Sequence, residues 1–400
     1  MFLSYFIDKN MNSGKYVFSQ LLDFINKYEF EKIVKKYNGN YRVRDLNCWN
    51  QFIQLFFGQI TSLNSLRDIC LCLKAHNSKL YHLGIKGYVS HTSLSRANEN
   101  RDWNIFADFG KFLIEQIRPM YQNSSIPNIR IGNEIFALDS TSISCSINLL
   151  TWAEGKYSRG AVKAHTLLDI RGSIPAFILI TDGKYHDSNV LDEIEFIYDA
   201  IYLMDKAYVD FEALYKMNLV GAYFVTRAKS SMKYHVIEQN YNIDQETGLR
   251  ADKTVELIVA KSKKLYPDKI RLVEYYDDQN DNYLIFMTNN FKVTALEIAF
   301  LYKNRWQIET FFKWIKQNLT IKKFWGNSPN AVKTHIWIAI CTYLIVAYVK
   351  KKVESELSIY QILQILSISA FDKTPITQLL NDFQINQNVN ELQFNLFNEI

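Results

Sequence analysis

The stretch that decides the fold runs from residue 300 to residue 326 and reads FLYKNRWQIETFFKWIKQNLTIKKFWG. Its apolar residues recur every three or four positions, which predicts one long amphipathic helix. At about 100° per residue, one face of that helix carries a phenol, two cations and one carboxylate: Tyr302, Arg305, Glu309 and Lys316. A second face carries four apolar residues that would dock on a core: Ile308, Phe311, Ile315 and Leu319. A carboxylate flanked by cations suits a metal ion held beside a phosphate.

The same pattern has an ordinary interpretation, because the charged face of an amphipathic helix usually points to solvent. Arg305 and Glu309 also have the spacing of a common helix ion pair. Two acids elsewhere favour the functional interpretation, since Asp139 and Asp205 each close a short apolar run. Each run predicts a strand buried on both faces, and strand ends are where α/β proteins build their sites. For each Asp taken alone, a turn or a helix cap is the alternative.

Taken together, these residues resemble the DDE transposases of the IS4 insertion-sequence family. Four of them match that family's Y-R-E-K motif at every spacing: Tyr302, Arg305, Glu309 and Lys316. The quartet Asp205–Tyr208 fits the family's D-x-[GA]-[YF] pattern, and the stretch Gly160–Val190 is similar to the segment between its two aspartates. The resemblance extends from about Asn12 to Lys351.

The resemblance implies phosphodiester chemistry with two divalent ions in one active site. Asp139 would bridge the ions, while Asp205 and Glu309 would each hold one of them. Hard carboxylate oxygens suit Mg²⁺ or Mn²⁺ and argue against zinc. The remaining members of the motif would grip the DNA backbone near the cut: Tyr302, Arg305 and Lys316.

The resemblance also implies an α/β fold, with an RNase H-like catalytic core interrupted by a β-rich insertion. An α-helical N-terminal domain would precede the core, and C-terminal helices would follow it. The expected boundaries are 1–125 for the N-terminal domain, 126–226 and 293–350 for the two parts of the core, 227–292 for the insertion and 351–400 for the C-terminal helical tail. Within the core, the pattern predicts a helix over Ser188–Ile197. The N-terminal domain would hold the terminal inverted repeats, with Arg96 and Arg101 as candidate DNA contacts.

Transposases of this family commonly proceed through a DNA hairpin, and those that do receive a displaced base on a Trp of the insertion. Residues 227–292 contain no Trp, although Tyr275, Tyr276 or Tyr283 could substitute. The stretch Gly160–Val190 also contains His165 and the pair His186–Asp187. A hydrolase triad is not expected there, because the chain has no Ser in a nucleophile-elbow context. These residues are therefore interpreted as structural or close to a phosphate.

Composition permits this function without pointing to it. The chain has 400 residues and a net charge of +5, which is compatible with DNA binding. Its five cysteines include no CxxC pair, which fits reduced thiols in a cytoplasm. The longest apolar run, Ile336–Val349, is shorter than the roughly 20 residues of a membrane span and predicts a core helix. We therefore expect a cytoplasmic, nucleoid-associated bacterial protein that has no membrane partner.

The leading hypothesis is a cut-and-paste transposase that binds transposon ends and target DNA, acting as a homodimer in the synaptic complex. A catalytically inactive or domesticated DNA-binding protein is one alternative, and the presence of all three acids argues against it. A related metal-dependent nuclease is another. A sugar hydrolase with paired carboxylates is more remote, because the basic stripe of the helix would have no purpose there.

Overall fold

The computed structural model describes residues 14–85, 87–126, 129–145, 160–319, 321 and 323–381. The chain divides into two compact units: a helical unit, Met1–Met120 with Trp314–Ile400, and a sheet unit, Tyr121–Lys313. Residues 1–13 of the expected N-terminal domain and 382–400 of the expected C-terminal tail lie outside the described residues.

The helical unit is built around α12, Pro329–Lys352, which packs against α3, α6 and α13. By length and apolar composition α12 could cross a membrane, but 89% of its most apolar window is buried inside the protein. It is thus the core helix that the run Ile336–Val349 predicts. The other helices of this unit are α1 Val17–Asp23, α2 Lys27–Lys36, α3 Cys48–Ile60, α4 Leu66–Ala75, α5 Asn77–Leu80, α6 His91–Asn100, α7 Asn104–Tyr121 and α13 Ile359–Ser369.

The sheet unit contains one nine-stranded sheet with the order β3-β2-β1-β4-β5-β9-β8-β7-β6. Its strands are β1 Ile135–Cys145, β2 Gly160–Asp169, β3 Ile174–Asp182, β4 Ile201–Met204, β5 Tyr223–Arg227, β6 Tyr234–Asn240, β7 Leu249–Leu257, β8 Ile270–Asp277 and β9 Asn282–Thr288. Its helices are α8 Phe211–Val220, α9 Ala260–Leu265 and α10 Ala295–Asn304, and the division between the units falls within α11, Trp306–Asn318.

Strand β1 is antiparallel to β2 and parallel to β4, and β4 is parallel to β5. Strands β6 to β9 lie in the stretch 227–292, and they continue this sheet because β9 pairs with β5. On one face, Phe136 and Leu138 of β1 and Tyr202 and Met204 of β4 enter an apolar core that also contains residues of α8. Since neighbouring residues of a strand point to opposite faces, Asp139 lies on the other face.

The single helix predicted over 300–326 is wrong. The structure has two helices, α10 and α11, which meet at Arg305, and α11 ends at Asn318. At the junction the amide of Arg305 donates to the carbonyl of Tyr302, a tighter turn than that of an α-helix. Beyond α11, Trp325 stacks on His335 of α12, so tertiary packing overrides local helical preference. The apolar face is confirmed, because its four residues are buried: Ile308, Phe311, Ile315 and Leu319.

The helix predicted over Ser188–Ile197 is also wrong in type and length. The structure has a 3₁₀ helix over Asp187–Glu193 and no regular element after it as far as β4. Tertiary hydrogen bonds hold both ends, since Asp187 accepts from Ser140 and Lys163 and the amide of Ile197 donates to the hydroxyl of Tyr202. These bonds replace those that a regular helix would make.

Candidate active site at the ends of the parallel strands

Two aspartates lie side by side where parallel strands β1 and β4 run next to each other. Leu138 pairs with Met204 in the register, so the next positions, Asp139 and Asp205, are neighbours across the strands. Strand β4 ends at Met204, and Asp205 then accepts a hydrogen bond from the amide of Ala207 as the cap of a short 3₁₀ helix. The prediction that an acid ends its strand is confirmed for Asp205 and wrong for Asp139, because β1 continues to Cys145 through its pairing with β2. The parallel register nevertheless places both carboxylates side by side.

A third carboxylate reaches this place through an arginine. Arg305 donates to Asp139 at 3.4 Å between Nη1 and Oδ2, and to Glu309 at 2.6 Å between Nη2 and Oε1. Its side chain is only 13% exposed, whereas that of Glu309 is 56% exposed. The guanidinium therefore occupies the space that joins Asp139 to Glu309.

A second arginine neutralises the second aspartate. Leu203 pairs with Val225 in the parallel register of β4 and β5, so Arg227, two residues after Val225, is level with Asp205. The Nη2 atom of Arg227 lies 3.1 Å from Oδ2 of Asp205. Asp139, Asp205 and Arg227 thus form one row across three adjacent strands.

The electrostatics of the row centre on Asp139. The pKa of Asp139 is raised to about 6, mainly by burial; the charges of Glu309 and Asp205 contribute to the rise, and the Ser140 amide and Arg305 oppose it. Burial in low dielectric penalises the charged form of a carboxylate, and like charges add to that penalty. A cation would therefore stabilise the ionised form of Asp139 beside its two acidic neighbours.

The donor set fits a hard divalent cation, although the side chains do not yet converge on one. Within the described ranges, no three His, Cys, Asp or Glu side chains are grouped closely enough to hold an ion. Arg305 lies between Asp139 and Glu309, so joint ligation by these two carboxylates requires the guanidinium to leave. The oxygen-only set Asp139, Asp205 and Glu309 suits Mg²⁺ or Mn²⁺.

Comparison with known proteins decides the family. Residues 130–345, more than half of the chain, match the transposase DDE domain, and residues 13–86 match a domain of unknown function, DUF4372. The chain belongs to the DDE transposase family. It is therefore an enzyme of DNA cleavage and strand transfer that binds DNA and depends on a divalent metal ion.

Two relatives by sequence agree with this assignment. A putative transposase, y4zB, of Sinorhizobium fredii is 31% identical over 253 residues, which cover 62% of this chain and 68% of that protein. A putative transposase for an insertion sequence element of Synechocystis is 26% identical over 332 residues, covering 79% of this chain and 87% of that protein. A solved synaptic complex of piggyBac transposase with hairpin DNA aligns with a TM-score of 0.45 at 10% identity, over 92% of this chain and 82% of that one.

The basic and phenolic residues of the Y-R-E-K motif occupy different surroundings in this transposase. Tyr302 is buried against Phe286, with ring centroids 4.9 Å apart, and burial raises its pKa. Its hydroxyl is buried and makes no hydrogen bond with another described residue. Arg305 lies 5.6 Å from the centroid of the Tyr302 ring, while Lys316 is half-buried on α11, two turns after Glu309.

The two arginines predicted to contact DNA from the N-terminal region differ in exposure. Arg96 is exposed on α6, whose first turn is capped by the hydroxyl of Ser90. Arg101 is half-buried after the end of the same helix, where it donates to Oε1 of Gln51 at 2.8 Å and to the carbonyl of Leu46. The guanidinium of Arg101 is thus engaged in the fold of the helical unit.

Sequence reasoning missed Arg227 as part of the site, although the signal was present. Arg227 ends the buried strand β5, much as Asp205 follows β4, but it stands at the first position of the predicted insertion, 227–292. A cavity of about 400 Å³ lies beside it, with a lining that includes Lys206, Lys229, Tyr234 and Tyr283. The sequence does not indicate this cavity, because its walls come from segments up to about 80 residues apart.

Proposed function

We propose that this transposase moves an insertion sequence by a cut-and-paste route, cutting at terminal inverted repeats and joining the freed ends to target DNA. The observation that carries the proposal is the arrangement of Asp139 and Asp205 on adjacent strands, with Arg227 paired to Asp205 and Arg305 bonded to both Asp139 and Glu309. The Synechocystis relative, a putative transposase for an insertion sequence element, supports the same class of substrate.

The catalytic core is proposed to be RNase H-like. The strand order β3-β2-β1-β4-β5, with β2 antiparallel to β1 and with β4 and β5 parallel to it, supports this assignment. We propose that residues 126–226 and 293–350 form the core and that residues 227–292 are its insertion, although β6 to β9 extend the core sheet. Residues 351–400 complete the chain as a C-terminal helical tail.

In the proposed reaction, the carboxylates of Asp139, Asp205 and Glu309 would hold two Mg²⁺ ions. When bound, the ions would lower the pKa of an attacking water and stabilise the charge on the attacking and leaving oxygens. The water oxygen bonds to phosphorus and the 3′-oxygen leaves, which yields a 3′-hydroxyl and a 5′-phosphate. The 3′-hydroxyl then attacks a target phosphodiester and displaces its 3′-oxygen.

The cations of the site act on phosphate in this proposal. Ligation of metal by Asp139, Asp205 and Glu309 frees the guanidinium groups of Arg305 and Arg227 from their carboxylate partners. Arginine binds phosphate oxygens in a bidentate manner, so both groups are suited to the DNA backbone once released. Tyr302 and Lys316 complete the proposed grip on the strand near the cut.

The cavity beside Arg227 is a proposed position for a distorted DNA end. Its lining combines the cations Lys206 and Lys229 with the phenol of Tyr283, which is 51% exposed. An aromatic ring beside cations can receive an unstacked base and its phosphate. A hairpin route without an insertion Trp would use Tyr283, which lines this cavity and donates its hydroxyl to Glu274. The other two tyrosines are held elsewhere, since the hydroxyl of Tyr276 bonds to Asp281 and Tyr275 packs on Phe286.

End recognition is proposed to lie in the helical region up to residue 125, with exposed Arg96 as a phosphate contact. A homodimer is proposed for the synaptic complex, because two transposon ends must be processed together. We also propose that the protein acts in the bacterial cytoplasm, on nucleoid DNA.

The test uses the full chain, Mg²⁺, and a labelled duplex that carries the DNA flanking the gene. We expect cleavage at the end and joining to a second duplex. Asp139→Ala, Asp205→Ala and Glu309→Ala should each abolish cleavage and leave binding of the duplex largely intact, because the grip on DNA comes mostly from phosphate contacts elsewhere. Asp192→Ala is the matched control, since this carboxylate is exposed and pairs with Lys216.

Other outcomes separate the alternatives. Cutting of any duplex without joining would indicate a nuclease, and binding without cleavage by the unmodified chain would indicate a DNA-binding protein that has lost catalysis. Full cleavage by one of the three variants would remove that acid from the metal site.

A further inference from the structure

A second group of polar side chains lies on the face of β1 opposite to Asp139. Ser140 points to that face because neighbouring strand residues alternate, and it pairs with His165 in the register of β1 and β2. Lys163, two residues before His165, shares the face. Asp187, the first residue of the 3₁₀ helix Asp187–Glu193, completes the group.

These side chains converge on one oxygen atom, Oδ1 of Asp187. Ser140 donates its hydroxyl to this atom at 2.7 Å, and the ammonium of Lys163 donates to it at 3.1 Å. Nδ1 of the fully buried His165 lies 3.7 Å away. Burial lowers the pKa of His165 to about 4, so its ring is neutral at pH 7 and Lys163 supplies the balancing charge.

Ser140 joins this group to the active site. Its backbone amide donates to Oδ1 of Asp139 at 2.8 Å, while its hydroxyl donates to Asp187 on the opposite face. Ser140 is thus bonded to the carboxylate of Asp139 on one face of the strand and to the carboxylate of Asp187 on the other. Hydrogen bonds to a charged partner are shorter and roughly twice as strong as neutral ones.

Packing alone does not account for this group of polar side chains around Asp187. A buried ion pair is often no more stabilising than apolar residues of the same volume, and the same face of β1 is apolar at Phe136 and Leu138. The polar group begins at the residue next to Asp139. Its position therefore matches a requirement of the site rather than one of the core.

We propose that Asp187 is a positioning residue, which acts through Ser140 to hold the carboxylate of Asp139 in the orientation that ligates metal. This inference rests on the proposed metal-binding role of Asp139. Lys163 keeps Asp187 in place by pairing with it and by donating to the carbonyl of Tyr185 at 2.9 Å.

The test measures binding of Mn²⁺ to the full chain without DNA, from the loss of the electron paramagnetic resonance signal of free Mn²⁺. Ser140→Ala keeps the backbone amide and removes the hydroxyl that links it to Asp187 and lies beside the hydroxyl of Tyr208. It should weaken Mn²⁺ binding about 10-fold, as is usual for residues that orient a metal ligand. Ser140→Thr keeps the hydroxyl and should bind Mn²⁺ as the unmodified chain does.

Asp187→Ala should weaken Mn²⁺ binding by a similar factor, and Asp187→Asn by less, because its amide oxygen still accepts from Ser140. Asp192→Asn, in the same 3₁₀ helix but paired with Lys216 at the surface, is the control and should change nothing. Thermal melting shows whether each variant is folded, and Ser140→Ala carries the test if Asp187→Ala is not.

Asp139→Asn distinguishes a failure of the proposed metal site from a failure of the positioning role of Asp187. If it binds Mn²⁺ as tightly as the unmodified chain, the proposed metal site itself is wrong. If it loses Mn²⁺ while Ser140→Ala and Asp187→Ala keep full affinity, the metal site stands and the positioning role of Asp187 is overturned.

Discussion

Asp139→Asn should make the metal-free protein more stable at neutral pH, which is the opposite of what a buried polar substitution usually does. Burial raises the pKa of Asp139 from the ordinary 3.8 to about 6. Each pKa unit corresponds to about 1.4 kcal/mol, so keeping this carboxylate ionised costs the folded state at most about 3 kcal/mol. Asn removes that charge and retains the shape.

Solvent screening reduces this gain. The attraction of Arg305 for Asp139, at 3.4 Å, already lowers the pKa of Asp139, so the figure of about 3 kcal/mol includes it, and Arg305 keeps its 2.6 Å partner Glu309 in the variant. Because the Asp139 side chain is 23% exposed, we expect a net stabilisation of about 2 kcal/mol. For a unit of this size, that amount raises the melting temperature by about 4–8 °C.

The pH dependence fixes the physical cause. The raised pKa means that the folded state binds more protons than the unfolded state between pH 3.8 and about 6, so the cost of Asp139 grows over that range. Below it both states are protonated and the cost is absent. The melting temperature of Asp139→Asn should therefore match that of the unmodified chain near pH 4 and exceed it at pH 8, with EDTA present.

Metal should reverse the order of stability. Mn²⁺ at about 100 times its dissociation constant should stabilise the unmodified chain by about 2.7 kcal/mol and Asp139→Asn by much less. Equal melting temperatures at pH 8 in EDTA, or equal stabilisation of both proteins by Mn²⁺, would refute the electrostatic reasoning.

Three further predictions concern other parts of the molecule. Arg271→Met should lower the free energy of unfolding by about 3–5 kcal/mol in urea titrations, because buried Asp252 loses a bidentate partner at 2.8 and 2.9 Å. Adding Asp252→Leu should restore most of the lost stability, and a double variant as unstable as Arg271→Met would contradict this account. Arg305→Ala should accumulate nicked DNA with few double-strand breaks on gels, because later steps must hold a free 5′-phosphate; equal loss of all steps would assign it to general binding. Gly110→Val should lower the melting temperature, since a Cβ there lies 2.7 Å from the Trp337 ring, whereas unchanged melting would mean that the ring can move.

The parts of the site that could be predicted are those that local pattern controls. An acid after a short apolar run predicts a charged group at a strand end, and the parallel register of β1 and β4 then makes Asp139 and Asp205 neighbours. Helical spacing likewise places Arg305 and Glu309 together, even though a helix junction falls at Arg305. That interaction survives because residues four apart remain close through one tight turn.

The parts that could not be predicted depend on pairings between distant segments. Strand β6 has an almost entirely exposed burial pattern, so no apolar run marks it, and it exists because β7 supplies its hydrogen bonds. The bond between Ser140 and Asp187 spans 47 residues. In the sequence alone, Asp187 has the appearance of a polar residue at the start of a helix. Only the fold places it against Ser140 of β1.

The arrangement of charge explains why one site can carry arginines and metal ligands together. Three carboxylates and two guanidinium groups leave the site with one net negative charge, and buried charges are tolerated only when they are paired. Divalent ions would replace Arg305 and Arg227 as partners of the carboxylates, and the released guanidiniums would then need an anion. In the proposed function that anion is the DNA backbone, so metal and DNA each bind better when the other is present, and a site without both keeps its arginines on its own acids.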